Sequence, residues 1–327
     1  MGADAEAQIP ILDFGKQGLV LEGLEQLQGS SEEKWKAMCM KVREACENHG
    51  WFVLKCDESI IPKSLRQEIL VAMKALFDLP EETKQKHTSP KPYSSYLGNC
   101  PVIPLSESFG VDEAAQLDKA RAFTSVMWPQ GNPSFCETMN SMSSKLLEMN
   151  YMVLRMILES FGIMEKYYES HLENSSSVFR LMKYKVPPPS DDRGAAIGLV
   201  PHTDKNSLTI LFQNDVQGLD VLTKQGNWVQ LEIPEGSFTV IVGDSLKAWS
   251  NGRLHAPRHR VKLRGVEKER YSCGLFLLPK DGMVIEVPQE LIDKDHPLLY
   301  RPFKYQDYLT YFVSNITDDA LELYAGL

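Results

Sequence analysis

The chain has 327 residues, 43% of them hydrophobic and 24% charged, with a formal net charge of −9. That composition excludes disorder over most of the length and fits two small domains or one large core with extensions. An acid excess without a long basic run speaks against nucleic acid as partner.

Taken in order, the chain starts Met-Gly-Ala-Asp-Ala-Glu-Ala, without the basic start and apolar run of a secretory leader. Glu6 stands where a myristoylated Gly2 prefers Ser or Thr downstream. Residues 9–14 read as a short strand. Residues 32–48 read as a helix stopped at His49-Gly50, residues 51–54 as a strand, and residues 62–77 as a second helix with Pro62 near its first turn. Leu79-Pro80-Glu81-Glu82 suggests a further short helix. The clearest helix covers residues 133–161. Its apolar residues Phe135, Met139, Met142, Leu146, Met149, Val153 and Met156 step by four and three and form one stripe.

From about residue 177 the pattern turns to short β-rich runs: 179–186, 197–204, 208–213, 219–222, 228–233, 238–242, 259–263, 270–278 and 283–287. Turn residues separate them, and residues 187–196 (PPPSDDRGAA) read as a surface loop. Residues 305–327 return to a helical pattern. Many short strands at this spacing predict a barrel or jelly roll. The division expected is a mostly helical 1–165 with strands joining the core, a jelly-roll core at 177–300, and a C-terminal helix in 301–327. Six scattered cysteines with no C-x-x-C pair read as reduced cytosolic thiols.

His202-Thr203-Asp204 lies at the end of a predicted strand, so His202 and Asp204 point the same way. They offer two adjacent ligands to a divalent metal. His259, at the start of the 259–263 strand, is a candidate third ligand, and His255 is its rival four residues earlier. Two histidines and a carboxylate form the facial set of non-haem iron(II) oxygenases. Arg270 and Ser272 share a face on the 270–278 strand and suit a small carboxylate. Phe276 follows on that face as a substrate contact or a core residue. Phe109, read within a Pro- and Ser-rich loop, is a further substrate candidate.

His202-x-Asp204, His259 and Arg270-x-Ser272 together resemble the signature of plant 2-oxoglutarate/iron(II)-dependent dioxygenases. GDSLKAWSNGRLHAPRHRV, HGWFVL, LFDLPEETKQKH and KPYSSYLG extend the resemblance over nearly the whole chain. ESFGI and HTDKNSLTIL are similar to the glucosinolate side-chain branch, with auxin-oxidising dioxygenases further away. The resemblance implies a double-stranded β-helix core, mainly β with flanking helices. It implies iron(II) on His202, Asp204 and His259; His255, the rival ligand, reads as a residue of the pocket mouth. It implies 2-oxoglutarate on Arg270 and Ser272, assisted by Tyr184. Met182 replaces an Asn common in relatives. The expected reaction oxidises a small plant metabolite by hydroxylation, desaturation, demethylation or ring closure. It consumes O2 and 2-oxoglutarate, releases succinate and CO2, and takes ascorbate as a stimulant. The alternatives are an auxin- or hormone-oxidising enzyme, an ascorbate-dependent oxidase of the same fold, or a catalytically silent binding protein. The expected protein is a cytoplasmic monomer without nucleic-acid or membrane partners. His49, His87, His171 and His296 read as surface or cap residues.

Overall fold

The computed structural model describes residues 9–15, 29–188 and 195–327. The leader and myristoylation readings, and most of the 187–196 loop, lie outside the described residues.

Two sheets form the centre. The larger runs, from edge to edge, β1 (Ile11–Asp13), β2 (Trp51–Lys55), β9 (Phe238–Val242), β6 (Leu208–Gln213), β11 (Arg270–Pro279), β4 (Ser175–Tyr184) and β3 (Ser106–Asp112). The smaller runs β5 (Ala195–His202), β10 (His259–Arg264), β7 (Leu219–Leu222) and β8 (Trp228–Gln230). A short ribbon of β12 (Val284–Ile285) and β13 (Phe303–Lys304) follows. Only β1 and β2 pair in parallel among these. Met182 and Tyr184 of the large sheet pack on Val261 and Leu263 of the small one, closing the two into a double-stranded β-helix. β1, β2 and β3 come from the first 165 residues yet bond into the large sheet, so the helical N-terminal region and the barrel share one core.

Helices cover the outer face of that sheet. The longest is α5 (Pro133–Ser160), which packs on α1 (Ser30–Asn48), α2 (Lys63–Phe77), β6 and β11. Asn132 caps it by accepting from the Phe135 N–H at 3.1 Å, and Pro133 takes the first turn, where a missing donor costs nothing. All seven residues of the apolar stripe are at most 3% exposed. Each such side chain contributes roughly 1.5–3 kcal/mol by burial.

The alternation of β4 and β11 decides where function sits. Phe179, Leu181, Leu275 and Leu277 are 0% exposed and face the helices. Val178, Arg180, Met182, Tyr184 and Phe276 point the other way and line a cavity.

Four elements differ from the sequence expectation. β3 (SESFGVD) begins with small polar residues and looks like a loop, but it completes the edge beside β4. The helices α4 (Leu117–Met127), α6 (Met164–Glu173) and α7 (Asp244–Trp249) carry no long periodic stripe and were not expected. A further short helix, α3 (Glu81–Lys84), lies where the Leu79-Pro80 signal put it. The C-terminal helical tail is two helices, α8 (Tyr305–Ser314) and α9 (Ala320–Ala325), rather than one. His171 is not a surface residue: it is buried, 4.7 Å from the Trp249 ring, with Nε2 unpartnered, and burial lowers its pKa to about 4. All six cysteines are free thiols. No helix among the described residues is long and apolar enough to cross a membrane.

Candidate active site

The three candidate metal-ligating side chains meet where β5 ends and β10 begins. Antiparallel register sets His202 directly opposite His259, with ring centroids 4.3 Å apart. Asp204 follows two residues after β5. Its Oδ1 lies 3.7 Å from Nε2 of each histidine. One ligand atom from each of the three residues falls within 4.8 Å of the others.

Both rings are oriented by their backbones. Nδ1 of His202 lies 2.9 Å from the Val200 carbonyl, and Nδ1 of His259 lies 3.3 Å from the Pro257 carbonyl. A carbonyl can only accept, so each Nδ1 carries the proton and each Nε2 presents a lone pair toward Asp204. The other Asp204 oxygen accepts from the Thr209 hydroxyl at 2.6 Å. Burial by itself would raise the Asp204 carboxyl, but His259, His202 and Thr209 together hold it below the usual carboxylate range. Burial and the neighbouring His202 lower His259 to about 4, so its imidazole is neutral and able to bind metal at neutral pH.

The loop carrying Asp204 is clamped from behind. Lys205 donates to Asp244 at 2.7 Å and to the Thr203 hydroxyl at 2.6 Å. Tyr308 of α8 donates to the same Asp244 oxygen at 2.7 Å, and Lys205 sits 4.4 Å over the Phe312 ring. Thr203, Lys205 and Tyr308 all donate to one Asp244 oxygen, which helps offset the desolvation of this buried ion pair.

At the other end of the large sheet stands Arg270, 2% exposed and without a carboxylate partner among the described residues. It donates to Gln213 Oε1 at 2.8 Å and to the Ser272 hydroxyl at 3.2 Å, while its Nε has no partner. Its guanidinium lies 5.1 Å from the ring of Tyr184, its cross-strand neighbour. A buried guanidinium with an orphaned N–H is a site made for an anion. Gly198 shapes the same end, because a Cβ there would meet Tyr184 Cδ1 at 2.8 Å. The Tyr184 hydroxyl reaches the Met182 sulfur at 3.8 Å. Met182 and Tyr184 line the open cavity, and Ser272 and Arg270 lie behind that lining as their neighbours on the adjacent strand β11.

The cavity between these ends measures about 340 Å³, at the small end for a ligand site. Phe276 lines it. Phe109 does not: it is 0% exposed on the helix-facing side of β3, packed among Phe77, Tyr96 and Phe123. Its assignment to substrate is corrected, because strand alternation turns Ser106 and Ser108 to the cavity and Phe109 to the core. His255 is also corrected. It does not line the cavity; its N–H donates to the Cys46 carbonyl at the end of α1, and burial with Lys224 and Lys247 lowers it to about 4. Sequence reasoning missed Thr209, Gln213, Lys205, Asp244 and Tyr308. Thr209 and Gln213 carried a signal, because they alternate on β6 with the cavity face.

A jelly roll that brings two imidazoles and a carboxylate together beside a buried arginine follows the plan of a non-haem iron(II) oxygenase. Comparison with known proteins gives the particular family. Residues 167–279 match the model of the 2OG-Fe(II) oxygenase superfamily, and residues 9–130 match that of the non-haem dioxygenase in morphine synthesis N-terminal region. The chain is 43% identical over 325 residues to a probable 2-oxoglutarate-dependent dioxygenase, AOP1.2, of Arabidopsis thaliana, covering 98% of this chain and 96% of that one. A probable inactive 2-oxoglutarate-dependent dioxygenase AOP2 of the same plant is 33% identical over 389 aligned positions, covering 94% of each. The crystal structure of the dioxygenase for auxin oxidation in rice superposes with a TM-score of 0.78 at 30% identity, covering 97% of this chain and 100% of that one. The chain belongs to the 2OG-Fe(II) oxygenase superfamily, and it is a 2-oxoglutarate-dependent dioxygenase of the plant type. Iron(II), 2-oxoglutarate and O2 are the reactants that family membership brings.

Proposed function

We propose that His202, Asp204 and His259 hold iron(II), and that Arg270 and Ser272, with Gln213 and Tyr184, hold the far carboxylate of 2-oxoglutarate. The observation that carries this reading is the pair of complementary ends. Two Nε2 lone pairs and a carboxylate converge at one end, and a buried guanidinium lacks an anion at the other. Bound iron supplies the activation of O2 that splits 2-oxoglutarate to succinate and CO2 and removes a hydrogen from the substrate.

The chain does the rest. The two backbone carbonyls keep both histidines in the metal-binding tautomer. Thr209 fixes the Asp204 carboxylate, and the Lys205–Asp244–Tyr308 clamp holds its loop. Arg270 and Ser272 orient the cosubstrate along the β11 face. Phe276 and Val178 form an apolar wall that keeps water from the reacting carbon.

The substrate is a small plant metabolite, oxidised in a cytoplasmic, monomeric enzyme that ascorbate stimulates. The match of residues 9–130 to a family model named for morphine synthesis supports specialised metabolism, and the rice structure, whose protein is described as oxidising auxin, supports a hormone substrate as the second reading. Anaerobic iron(II) with 2-oxoglutarate is expected to give a weak visible charge-transfer band that His259→Ala abolishes. Oxygen uptake independent of 2-oxoglutarate would instead identify an ascorbate-dependent oxidase. A persistent band with no turnover on any substrate would identify a silent binding protein, as the name of the inactive relative suggests for that chain.

A further inference from the structure

Among the described residues, three cations line the cavity in addition to the metal end, and two of them are neutralised. Lys205 pairs with Asp244 at 2.7 Å, and Arg258 pairs with Asp318 at 2.7 Å. The third, Arg180, has no carboxylate within ion-pair distance among the described residues. Its Nη2 donates to the Ser108 hydroxyl at 3.2 Å, and its buried Nε has no partner. Two aromatic rings flank it: Phe276 at 5.6 Å and Tyr93 at 5.7 Å from the guanidinium carbon. β4 holds it between Gly110 of β3 and Gly274 of β11, so no side chain rises beside it on either neighbouring strand.

The charges around the site make this arginine conspicuous. With the proposed reactants bound, Asp204 and one cosubstrate carboxylate offset the two charges of iron(II). Arg270 takes the other carboxylate. Among the described residues that line the cavity, Arg180 then remains without a counter-charge. A half-buried guanidinium with an unmet N–H and an apolar surround is costly unless an anion completes it.

We propose that Arg180 is the specificity-determining residue of this enzyme and selects an organic substrate bearing an anionic oxygen group, a carboxylate or a sulfate. The rings of Phe276 and Tyr93 take the hydrocarbon beside that group. This inference rests on the dioxygenase reading and names the substrate class within it. Arg180 was within reach of sequence reasoning, because it lies four residues before Tyr184 and so shares its face.

The test is equilibrium binding by calorimetry, without O2, to the full chain loaded with iron(II) and 2-oxoglutarate. The probes are matched pairs: phenylacetate with phenylacetamide, octanoate with octanamide, and phenyl sulfate with phenol. At least one acid is expected to bind about tenfold or more tightly than its neutral partner. The carboxylate and sulfate arms tell which group is preferred. Arg180→Gln is expected to erase the preference and Arg180→Lys to restore part of it, while 2-oxoglutarate affinity stays within about twofold. Neutral partners binding as well as the acids, or no acid binding, would overturn the proposal. So would Arg180→Gln weakening 2-oxoglutarate as much as the acids, which would assign Arg180 to the cosubstrate. Failure of 2-oxoglutarate itself to bind the iron-loaded wild type would overturn the dioxygenase reading instead.

Discussion

The two ends of the cavity are built by different means. The metal end rests on one cross-strand pair, His202 opposite His259, and on a carboxylate two residues beyond. The proposed cosubstrate end rests on Arg270 and Ser272, two apart along β11, with Tyr184 beside them on β4 and Gln213 on β6. The first arrangement needs two distant strands in register. The second needs the continuous register of β11 with β4 on one side and β6 on the other. The β5–β10 pairing carries register shifts next to His259, so a slip of one residue there would turn a histidine to the other face.

Substitutions can separate the ends. The largest effect is expected from Asp204→Ala or His259→Ala, each lowering succinate release by roughly a thousandfold or more, with loss of bound iron measured alongside. Full turnover in either variant would remove that residue from the metal end. Arg270→Gln should raise the KM for 2-oxoglutarate by roughly 10- to 100-fold while iron affinity holds, because a charge-assisted contact is lost at one end only. Iron and cosubstrate affinity falling together would show the ends to be one unit. Thr209→Val should weaken iron binding by about tenfold, through the lost hydrogen bond to Asp204, and leave the KM for 2-oxoglutarate unchanged at saturating iron.

The smallest effect on turnover is expected at His171, which belongs to neither end. Its folded pKa, about 4, lies below the ordinary histidine value, so the unfolded chain binds more protons between about pH 6.5 and 4. Its contribution to stability is present above that window and is lost as pH falls through it. His171→Gln should flatten the fall in stability between those pH values by up to about 3 kcal/mol, read from urea unfolding. Equal slopes for the two proteins would mean that His171 is protonated when folded.

The sequence made the metal end legible because its residues sit in short strands of strong β pattern and match a family motif. The shared face of Arg270, Ser272 and Phe276 was legible because they alternate on an apolar strand. Phe109 was misread for the lack of one fact: that SESFGVD is a strand, which its neighbour β4 decides and its own residues do not. His255 and His171 were misplaced because burial is set by what packs on a residue from afar, α1 for one and Trp249 for the other. The Lys205–Asp244–Tyr308 clamp joins residues up to 64 positions apart, and no local pattern reports such a partnership.

The alternation of β4 and β11 has a consequence for how this enzyme can change. Residues on one face of these strands hold the core, and those on the other line the cavity. Val178, Arg180 and Phe276 can be exchanged without removing a methylene from the helix-facing side. New substrates are thus open to the lineage by single substitutions that leave folding nearly untouched. The neighbouring positions Phe179, Leu181 and Leu275 have no such freedom, although each is only one residue away.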